Sequence, residues 1–171
     1  MLMQIFLHTP RWVFVLFFVL VYVGVKQFVA RSTGFGRASL LPIAFLGLSF
    51  YGVVSAFPTQ PLALLAWALA VALACVAVIT SELPAGTAYD ARKRRFLLPG
   101  SPVPLILMMG IFFTKFAAGV TLASAPHMAQ ELSFALPISA MYGAFSGVFL
   151  GRAMRLWKLA MQADASVSQP A

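Results

Sequence analysis

Charged residues are scarce in this chain of 171 residues, and only four of them are acidic. Charged residues make up 9% of the chain, against roughly 25% in an ordinary soluble domain. Hydrophobic residues make up 61%, and the mean hydropathy is +0.93. Too few polar side chains are present to cover a globule of this size. The composition therefore excludes a water-soluble single domain and indicates an integral membrane protein.

Other shortages exclude whole classes of site. The one cysteine, Cys75, can form neither a disulfide framework nor a cysteine-rich metal site. No acidic residue lies deep in an apolar run, which argues against carboxylate chemistry inside a bilayer. The chain also lacks a His-Glu-x-x-His zinc helix, a Gly-x-Ser-x-Gly elbow and a phosphate-binding glycine loop. We therefore expect a protein that is not an enzyme and that uses no cofactor.

Five apolar runs are long enough to cross a membrane. A transmembrane helix needs about 20 mostly apolar residues to cross a hydrocarbon core of roughly 30 Å. The runs cover residues 11–29, 40–57, 61–80, 102–122 and 132–157. The sequence thus predicts an all-α polytopic bundle that forms one transmembrane domain over residues 1–161. We expect one long basic loop at residues 81–101 and a flexible tail at residues 162–171.

The positions of the basic residues predict an orientation. In a five-span arrangement ten of the twelve Lys and Arg residues fall on one side, namely Lys26, Arg31, Arg37, Arg92, Lys93, Arg94, Arg95, Arg152, Arg155 and Lys158. Arg11 falls on the other side, and Lys115 lies within a span. Because Lys and Arg are retained on the cytoplasmic side, we expect an outward N-terminus and a cytoplasmic C-terminus. The net charge of +8 then reflects topology, and we expect no nucleic-acid partner.

The densest basic run consists of Arg92, Lys93, Arg94 and Arg95 in the third loop. A basic residue near an anionic leaflet contributes about 1 kcal/mol of membrane attraction. The run therefore predicts contact with anionic lipid headgroups, with an acidic partner or nucleic acid as the weaker alternatives.

Lys115 is the residue within the spans that most suggests function. A lysine at the centre of a transmembrane helix costs about 2.5 to 3.5 kcal/mol on insertion scales. One interpretation is structural: the ammonium extends to the outer headgroups or pairs with Glu131. The other is functional: Lys115, with the neighbouring Thr114, faces a polar cavity and binds an anion or exchanges a proton.

Small residues recur at every fourth position in two spans, and the weaker series is Ala66, Ala70 and Ala74 in the Ala-rich third span. Gly143, Gly147 and Gly151 form such a series in the fifth span, and Ser139 extends it. Helices in lipid associate through close backbone approach at small residues. The series therefore predicts a helix-packing face, most simply within one chain, and alternatively at a contact with a second copy or another membrane protein.

The two histidines, His8 and His127, both fall on the predicted outer side. A histidine pair is able to ligate a haem or a metal ion. The two histidines share only their predicted side of the membrane, so we interpret each as an interfacial or loop residue. Haem or quinone handling is kept as a third functional alternative.

Several motifs resemble those of a known family. They are Leu-His-Thr-Pro-Arg-Trp-Val-Phe at 7–14, Leu-Pro-Ile-Ala-Phe-Leu-Gly-Leu-Ser at 41–49, Leu-Pro-Gly-Ser-Pro-Val-Pro-Leu at 98–105 and Thr-Lys-Phe at 114–116. The chain resembles a family of small uncharacterised five-helix inner-membrane proteins of Gram-negative bacteria. This resemblance implies a bacterial inner-membrane location, and it implies no activity and no site residue.

The sequence as a whole favours a binding or transport function without catalysis. We expect the protein to bind or move a small solute or lipid-like molecule, with Lys115, Thr114 and Glu131 as the binding residues. Five helices are few for a transporter, so a homo-oligomer is expected for that function. The alternative is an accessory or scaffold subunit that contacts another membrane protein through the glycine face.

Overall fold

The computed structural model describes residues 11–91 and 93–167 of the chain. Five α-helices carry most of the structure, namely α1 (Arg11–Val25), α2 (Phe35–Ala56), α3 (Pro61–Thr80), α4 (Val103–Ser124) and α5 (Leu132–Val167). Short 3-10 helices follow α1 at Lys26–Phe28 and precede α5 at Pro126–Gln130. Three short strands, β1 (Arg31–Gly34), β2 (Ala88–Asp90) and β3 (Arg95–Leu98), complete the fold.

Each of the five apolar runs contains a helix. Four helices, α2 to α5, are long and apolar enough to cross a membrane by length and composition. The first run contains a shorter apolar helical stretch, Val13–Phe28. Proline occupies the first turn of α3 and of α4, where its missing N–H removes no helical hydrogen bond.

The helices alternate in direction, so that α1, α3 and α5 end where α2 and α4 begin. Hydrogen bonds between elements that are distant in the sequence tie this end of the bundle together. Trp157 Nε1 near the end of α5 donates to Ser39 Oγ at the start of α2, at 2.8 Å. The Ser101 N–H before α4 donates to the Gln27 carbonyl after α1, at 2.9 Å. We call this the sheet end, because all three strands lie there.

At the opposite, far end of the bundle, the α2–α3 turn meets the segment before α5. The Gln60 side chain donates to the Gln130 carbonyl at 2.8 Å. The rings of Phe57 and Phe134 contact each other nearby, edge to face. Both connections at this end are short, which is consistent with antiparallel helix neighbours.

The sheet corrects the all-α expectation. Its strand order is β1-β3-β2 with both pairings antiparallel, and the register places Arg31 opposite Leu98 and Asp90 opposite Arg95. Residues 81–101 were expected to form a loop without strands. Phe96 explains the difference: it is fully buried between the rings of Tyr89 and Phe35. Burial of this aromatic cluster stabilises strands whose alternating pattern is too short to recognise in the sequence.

Helix α5 also exceeds its predicted length. It continues to Val167, so six residues that were expected in a flexible tail are helical. Residues 162–167 include Gln and two Ala residues, which favour a helix, and no Gly or Pro that would interrupt it. Residues 168–171 lie outside the described part of the chain.

Helix α5 lies at the centre of the bundle and packs against α2, α3 and α4, whereas α1 packs mainly against α4. Helices α2 and α4 both rest on α5. Two apolar clusters fill the interior: one contains Val53, Phe57, Ala63, Ala135 and Tyr142, and the other contains Leu107, Met108 and Phe149.

Candidate functional site

A cavity of about 360 Å³ lies at the sheet end, between the helices and the sheet. Its helical wall comes from the first turns of α2 and α4 and from the stretch of α5 that includes Arg152 and Leu156. Its other wall comes from β1, from the segment that follows α3 and from the segment between β3 and α4. Small-molecule sites typically enclose roughly 300 to 1,000 Å³, so the volume suits a small ligand.

Three arginines, Arg31, Arg152 and Arg155, line this cavity, which we call the arginine cavity. Arg155 on α5 is partly satisfied by the chain that follows α3. Its Nη1 donates to the Ser81 carbonyl and hydroxyl, each at 3.1 Å, and to the Glu82 carbonyl at 2.6 Å. Its Nε is buried and has no hydrogen-bond partner in the described structure. One donor of this guanidinium therefore lacks an acceptor.

The other two guanidinium groups have fewer partners. Arg31 Nη2 donates to Gln27 Oε1 at 2.8 Å, and desolvation lowers the pKa of Arg31. Arg152 makes no hydrogen bond or ion pair with any residue that the structure describes. It lies close enough to Arg155 and Arg31 to be repelled by both positive charges.

No acidic residue contributes to the described wall of the arginine cavity. Glu82 takes part nearby through its backbone carbonyl, as the acceptor for Arg155. Asp90 uses its carboxylate to accept the Lys93 N–H at 3.1 Å, within the β2–β3 turn. The cavity therefore concentrates positive charge without a balancing carboxylate, an arrangement that attracts anions.

The rest of the cavity wall combines hydroxyl groups with apolar surface. The hydroxyl groups belong to Ser32, Thr33, Thr87 and Ser101. The larger apolar contributions come from Pro42, Leu98, Pro104, Phe149 and Leu156. Hydroxyls can donate hydrogen bonds to ligand oxygens, while the apolar side chains offer a surface for hydrocarbon.

Lys115 lies in a separate part of the bundle. It follows Pro104 by eleven residues, a separation of roughly 16 Å along α4. The half-buried side chain extends toward α2 and α5, and its Nζ lies 5.6 Å from the centroid of the Tyr142 ring. A Cβ at Gly52 would lie 3.0 Å from Nζ, so this glycine leaves the room that the ammonium occupies.

Thr114 and Glu131 do not join Lys115 in one cluster. Thr114 is buried, and its hydroxyl donates to the Gly110 carbonyl in the preceding turn of α4, at 2.7 Å. Glu131 is exposed at the far end, just before α5, and no ion pair joins it to Lys115 in the described structure. The three residues that were predicted to bind a substrate are therefore in different surroundings.

The glycine series packs against α3 within the same chain. A Cβ on Gly143 would overlap the Trp67 carbonyl, and one on Gly147 would overlap the Val71 carbonyl. A Cβ on Gly151 would lie 2.9 Å from the Cys75 carbonyl. We call this contact the α3–α5 seam. A partner that bound this glycine face would have to displace α3.

The described residues of the basic run, Lys93, Arg94 and Arg95, lie in the turn of a β-hairpin and at the start of its second strand. Asp90 ends β2 and Arg95 begins β3, and Arg94 adopts a left-handed conformation with φ of 49° between them. Lys93, Arg94 and Arg95 are exposed, while Arg92 lies outside the described residues. Contact of these exposed side chains with anionic lipid headgroups stays a prediction.

The histidines do not form a described pair. His127 is exposed in the 3-10 helix before α5, and His8 lies outside the described residues. Within residues 11–91 and 93–167, no group of three or more His, Cys, Asp or Glu residues is arranged to hold a metal ion.

Sequence reasoning missed the arginine cavity because it treated the basic residues at the ends of the runs only as orientation signals. The spacing of Arg152 and Arg155, three residues apart on one helix, does predict a shared face. Their meeting with Arg31, more than a hundred residues earlier, depends on the tertiary fold.

Comparisons with known proteins identify the family and add no activity. No curated protein and no solved structure matches the chain. A family model described as a family of unknown function, DUF6622, matches residues 1–167 and so nearly the whole chain. The resemblance to an uncharacterised family, expected from the sequence motifs, is confirmed, and the chain belongs to the DUF6622 family of unknown function.

Proposed function

We propose that this protein is an integral protein of the bacterial inner membrane that binds an anionic small solute or lipid-like molecule in the arginine cavity. The observation that carries the proposal is the cavity of about 360 Å³ with three arginines and no acidic residue in its described wall. The proposed function is binding without catalysis.

The proposed topology has five transmembrane helices, an outward N-terminus and a cytoplasmic C-terminus. It is supported by the gathering of Lys26, Arg31, Arg152, Arg155 and Lys158 at the sheet end. Because basic residues are retained in the cytoplasm, the sheet end is then cytoplasmic. The arginine cavity would lie at the inner surface of the membrane, within reach of cytoplasmic solutes and inner-leaflet lipids.

The energetics of the three guanidinium groups favour a bound anion. A buried polar group without a partner costs free energy, and like charges that face one another add to that cost. An anionic ligand would relieve both effects, because its oxygens accept hydrogen bonds and its charge balances the arginines. Arginine suits this role, since its planar fork can hold a carboxylate or phosphate through two parallel hydrogen bonds.

Thermal unfolding of the purified protein in a non-ionic detergent tests the proposal. The probes are inorganic phosphate, citrate and dioctanoyl phosphatidylglycerol, each at constant ionic strength. A ligand at about 100 times its Kd stabilises the folded state by roughly 2.7 kcal/mol, which corresponds to a rise in Tm of roughly 5 to 10 °C.

Two variants separate the cavity from general charge effects. Arg152→Gln removes a cavity charge and should abolish the rise in Tm. Lys158→Gln removes the same charge from an exposed position on the same helix and should leave the rise intact. If no probe raises the Tm, or if both variants lose the rise equally, the proposal is wrong.

A further inference from the structure

We infer that the ligand is amphipathic, a phosphate group joined to a hydrocarbon chain. This inference rests on the proposed function, because it names the chemical class that the arginine cavity would accept. Two features of the cavity wall support the amphipathic ligand, namely the cluster of guanidinium groups and the apolar surface beside that cluster.

The polar part of the wall suits a phosphate. A phosphate monoester carries a charge of about −1.5 to −2 at neutral pH and presents three strong acceptor oxygens. Arg31, Arg152 and Arg155 approach the cavity from two different elements, β1 and α5, so they can contact different oxygens of one tetrahedral group. A planar carboxylate has two oxygens and a single charge, and it would leave more of these donors unsatisfied.

The start of α4 adds to this polar part. Ser101 and Pro104 both line the cavity, so the N-terminal turn of α4 borders it. The Ser101 hydroxyl oxygen accepts the Val103 N–H at 3.3 Å, which leaves its own proton free for a ligand oxygen. The partial positive charge of a helix N-terminus favours a nearby anion.

The apolar part of the wall suits a hydrocarbon chain. Phe149 belongs both to the cavity wall and to the apolar cluster with Leu107 and Met108. That cluster is formed by residues of α4 and α5, with Phe45 of α2 packed against it. Through Phe149, the apolar part of the cavity wall adjoins the apolar interior of the bundle. A purely polar anion would leave this surface unmatched, whereas a hydrocarbon chain would bury it.

Binding measurements with four probes test the inference. The probes are dioctanoyl phosphatidic acid, its dihexanoyl analogue, dioctanoylglycerol and inorganic phosphate, each titrated into the full-length protein in a non-ionic detergent. The dioctanoyl phosphatidic acid should bind at least tenfold more tightly than inorganic phosphate and dioctanoylglycerol. Shortening the chains should weaken binding by roughly fourfold for each methylene that was buried.

The same variants connect binding to the cavity. Arg152→Gln should weaken the binding of dioctanoyl phosphatidic acid at least tenfold, and Lys158→Gln should change it by less than twofold. Arg31→Gln, on the sheet side of the cavity, provides a second variant in case the first fails to fold, and it should also weaken binding.

The outcomes separate this inference from the proposed function. If inorganic phosphate binds as tightly as dioctanoyl phosphatidic acid, and Arg152→Gln weakens both, the amphipathic ligand is wrong and the proposed anion site stands. If dioctanoylglycerol binds as tightly as dioctanoyl phosphatidic acid, the phosphate requirement is wrong. If neither arginine variant weakens the binding of any probe, both the inference and the proposed function are wrong.

Discussion

Helix α5 has two regions that meet the rest of the protein in opposite ways. Along the α3–α5 seam, glycines bring the two helix backbones together, and a single added carbon at Gly143 or Gly147 would overlap a carbonyl of α3. One turn later, Arg152 and Arg155 line an open volume of about 360 Å³. The same helix therefore packs closely against α3 along one stretch and presents unbalanced positive charge in the next.

This difference suggests a division of roles along α5, in which the seam packs the helix and the arginines that follow it form the proposed site. Lipid chains are as apolar as leucine, so helix association in a bilayer depends on close packing rather than on hydrophobic burial alone. The seam provides such packing and fixes the position of α5. Because α5 is fixed, Arg152 and Arg155 can remain near Arg31 despite their repulsion. If the seam stabilises the fold and Arg152 serves a ligand, substitutions in the two regions should change stability in different ways, and the largest change is expected in the seam.

Filling the seam should have the largest effect. Gly147→Leu would force α3 and α5 apart, since even its Cβ would overlap the Val71 carbonyl. We expect a loss of several kcal/mol in the free energy of unfolding, because overpacking typically costs about 1 to 3 kcal/mol even where only side chains must move. The measurement is unfolding of the detergent-solubilised protein. Gly119→Leu is the matched control, since nothing lies within 4 Å of a Cβ at that helical glycine; equal losses in the two variants would contradict the role of the seam.

Removing the link between α5 and the end of α3 should have the next largest effect. Arg155→Gln would lose the guanidinium donor that bonds to the Ser81 and Glu82 carbonyls. Arginine near a helix C-terminus satisfies free carbonyls there, and hydrogen bonds from charged groups contribute roughly 1.5 to 3 kcal/mol. We therefore expect destabilisation of about that size in the same unfolding assay. A loss no greater than that of Lys158→Gln would show that these hydrogen bonds do not stabilise the fold.

Neutralising Arg152 should stabilise the protein in the absence of ligand. Arg152 makes no hydrogen bond or ion pair in the described structure and is repelled by Arg155 and Arg31. Arg152→Gln should raise the free energy of unfolding by about 0.5 to 1 kcal/mol at low ionic strength, and added salt should reduce the gain. Thermal unfolding at two salt concentrations, on delipidated protein, measures the effect. Destabilisation at both concentrations would mean that Arg152 serves the fold rather than a ligand.

The last effect, similar in size to that of Arg152→Gln, concerns Lys115, which belongs to neither region. Its ammonium lies 5.6 Å from the Tyr142 ring centroid, within the range of a cation–π interaction. A double-mutant cycle with Lys115→Met and Tyr142→Leu should give a coupling energy of about 0.5 to 1 kcal/mol. Coupling near zero would show that Tyr142 does not stabilise the ammonium. That result would favour the interpretation that Lys115 binds an anion or exchanges a proton.

Much of the helical framework could be predicted from composition and spacing. Runs of apolar residues identify helices because a membrane requires every backbone group to be satisfied within its own segment. The spacing of Gly143, Gly147 and Gly151 also predicted a packing face, because residues four apart lie on one side of a helix. The sequence did not say which helix covers that face.

The sheet and the cavity were missed because both depend on distant residues. The strands have three or four residues each, and burial of Phe96 by Tyr89 and Phe35 depends on the tertiary fold. A hydrogen-bonded chain inside the bundle illustrates the same limit. Trp67 Nε1 on α3 donates to Ser49 Oγ on α2, which donates to the Tyr142 carbonyl on α5. No sequence motif or spacing relates these three residues, because they lie in three separate helices.

The sequence by itself determined the apolar composition that is typical of a membrane protein, the five apolar runs and the spacing of the glycine face. These properties follow from composition and from local helix periodicity, which need no knowledge of neighbours. Only the tertiary structure decided that the glycines face α3 and that Lys115 lies apart from Glu131. It also brought Arg31 to Arg152 and Arg155 around one cavity. The reason is that each of these arrangements depends on how whole helices pack against one another, and that packing brings together residues far apart in the chain.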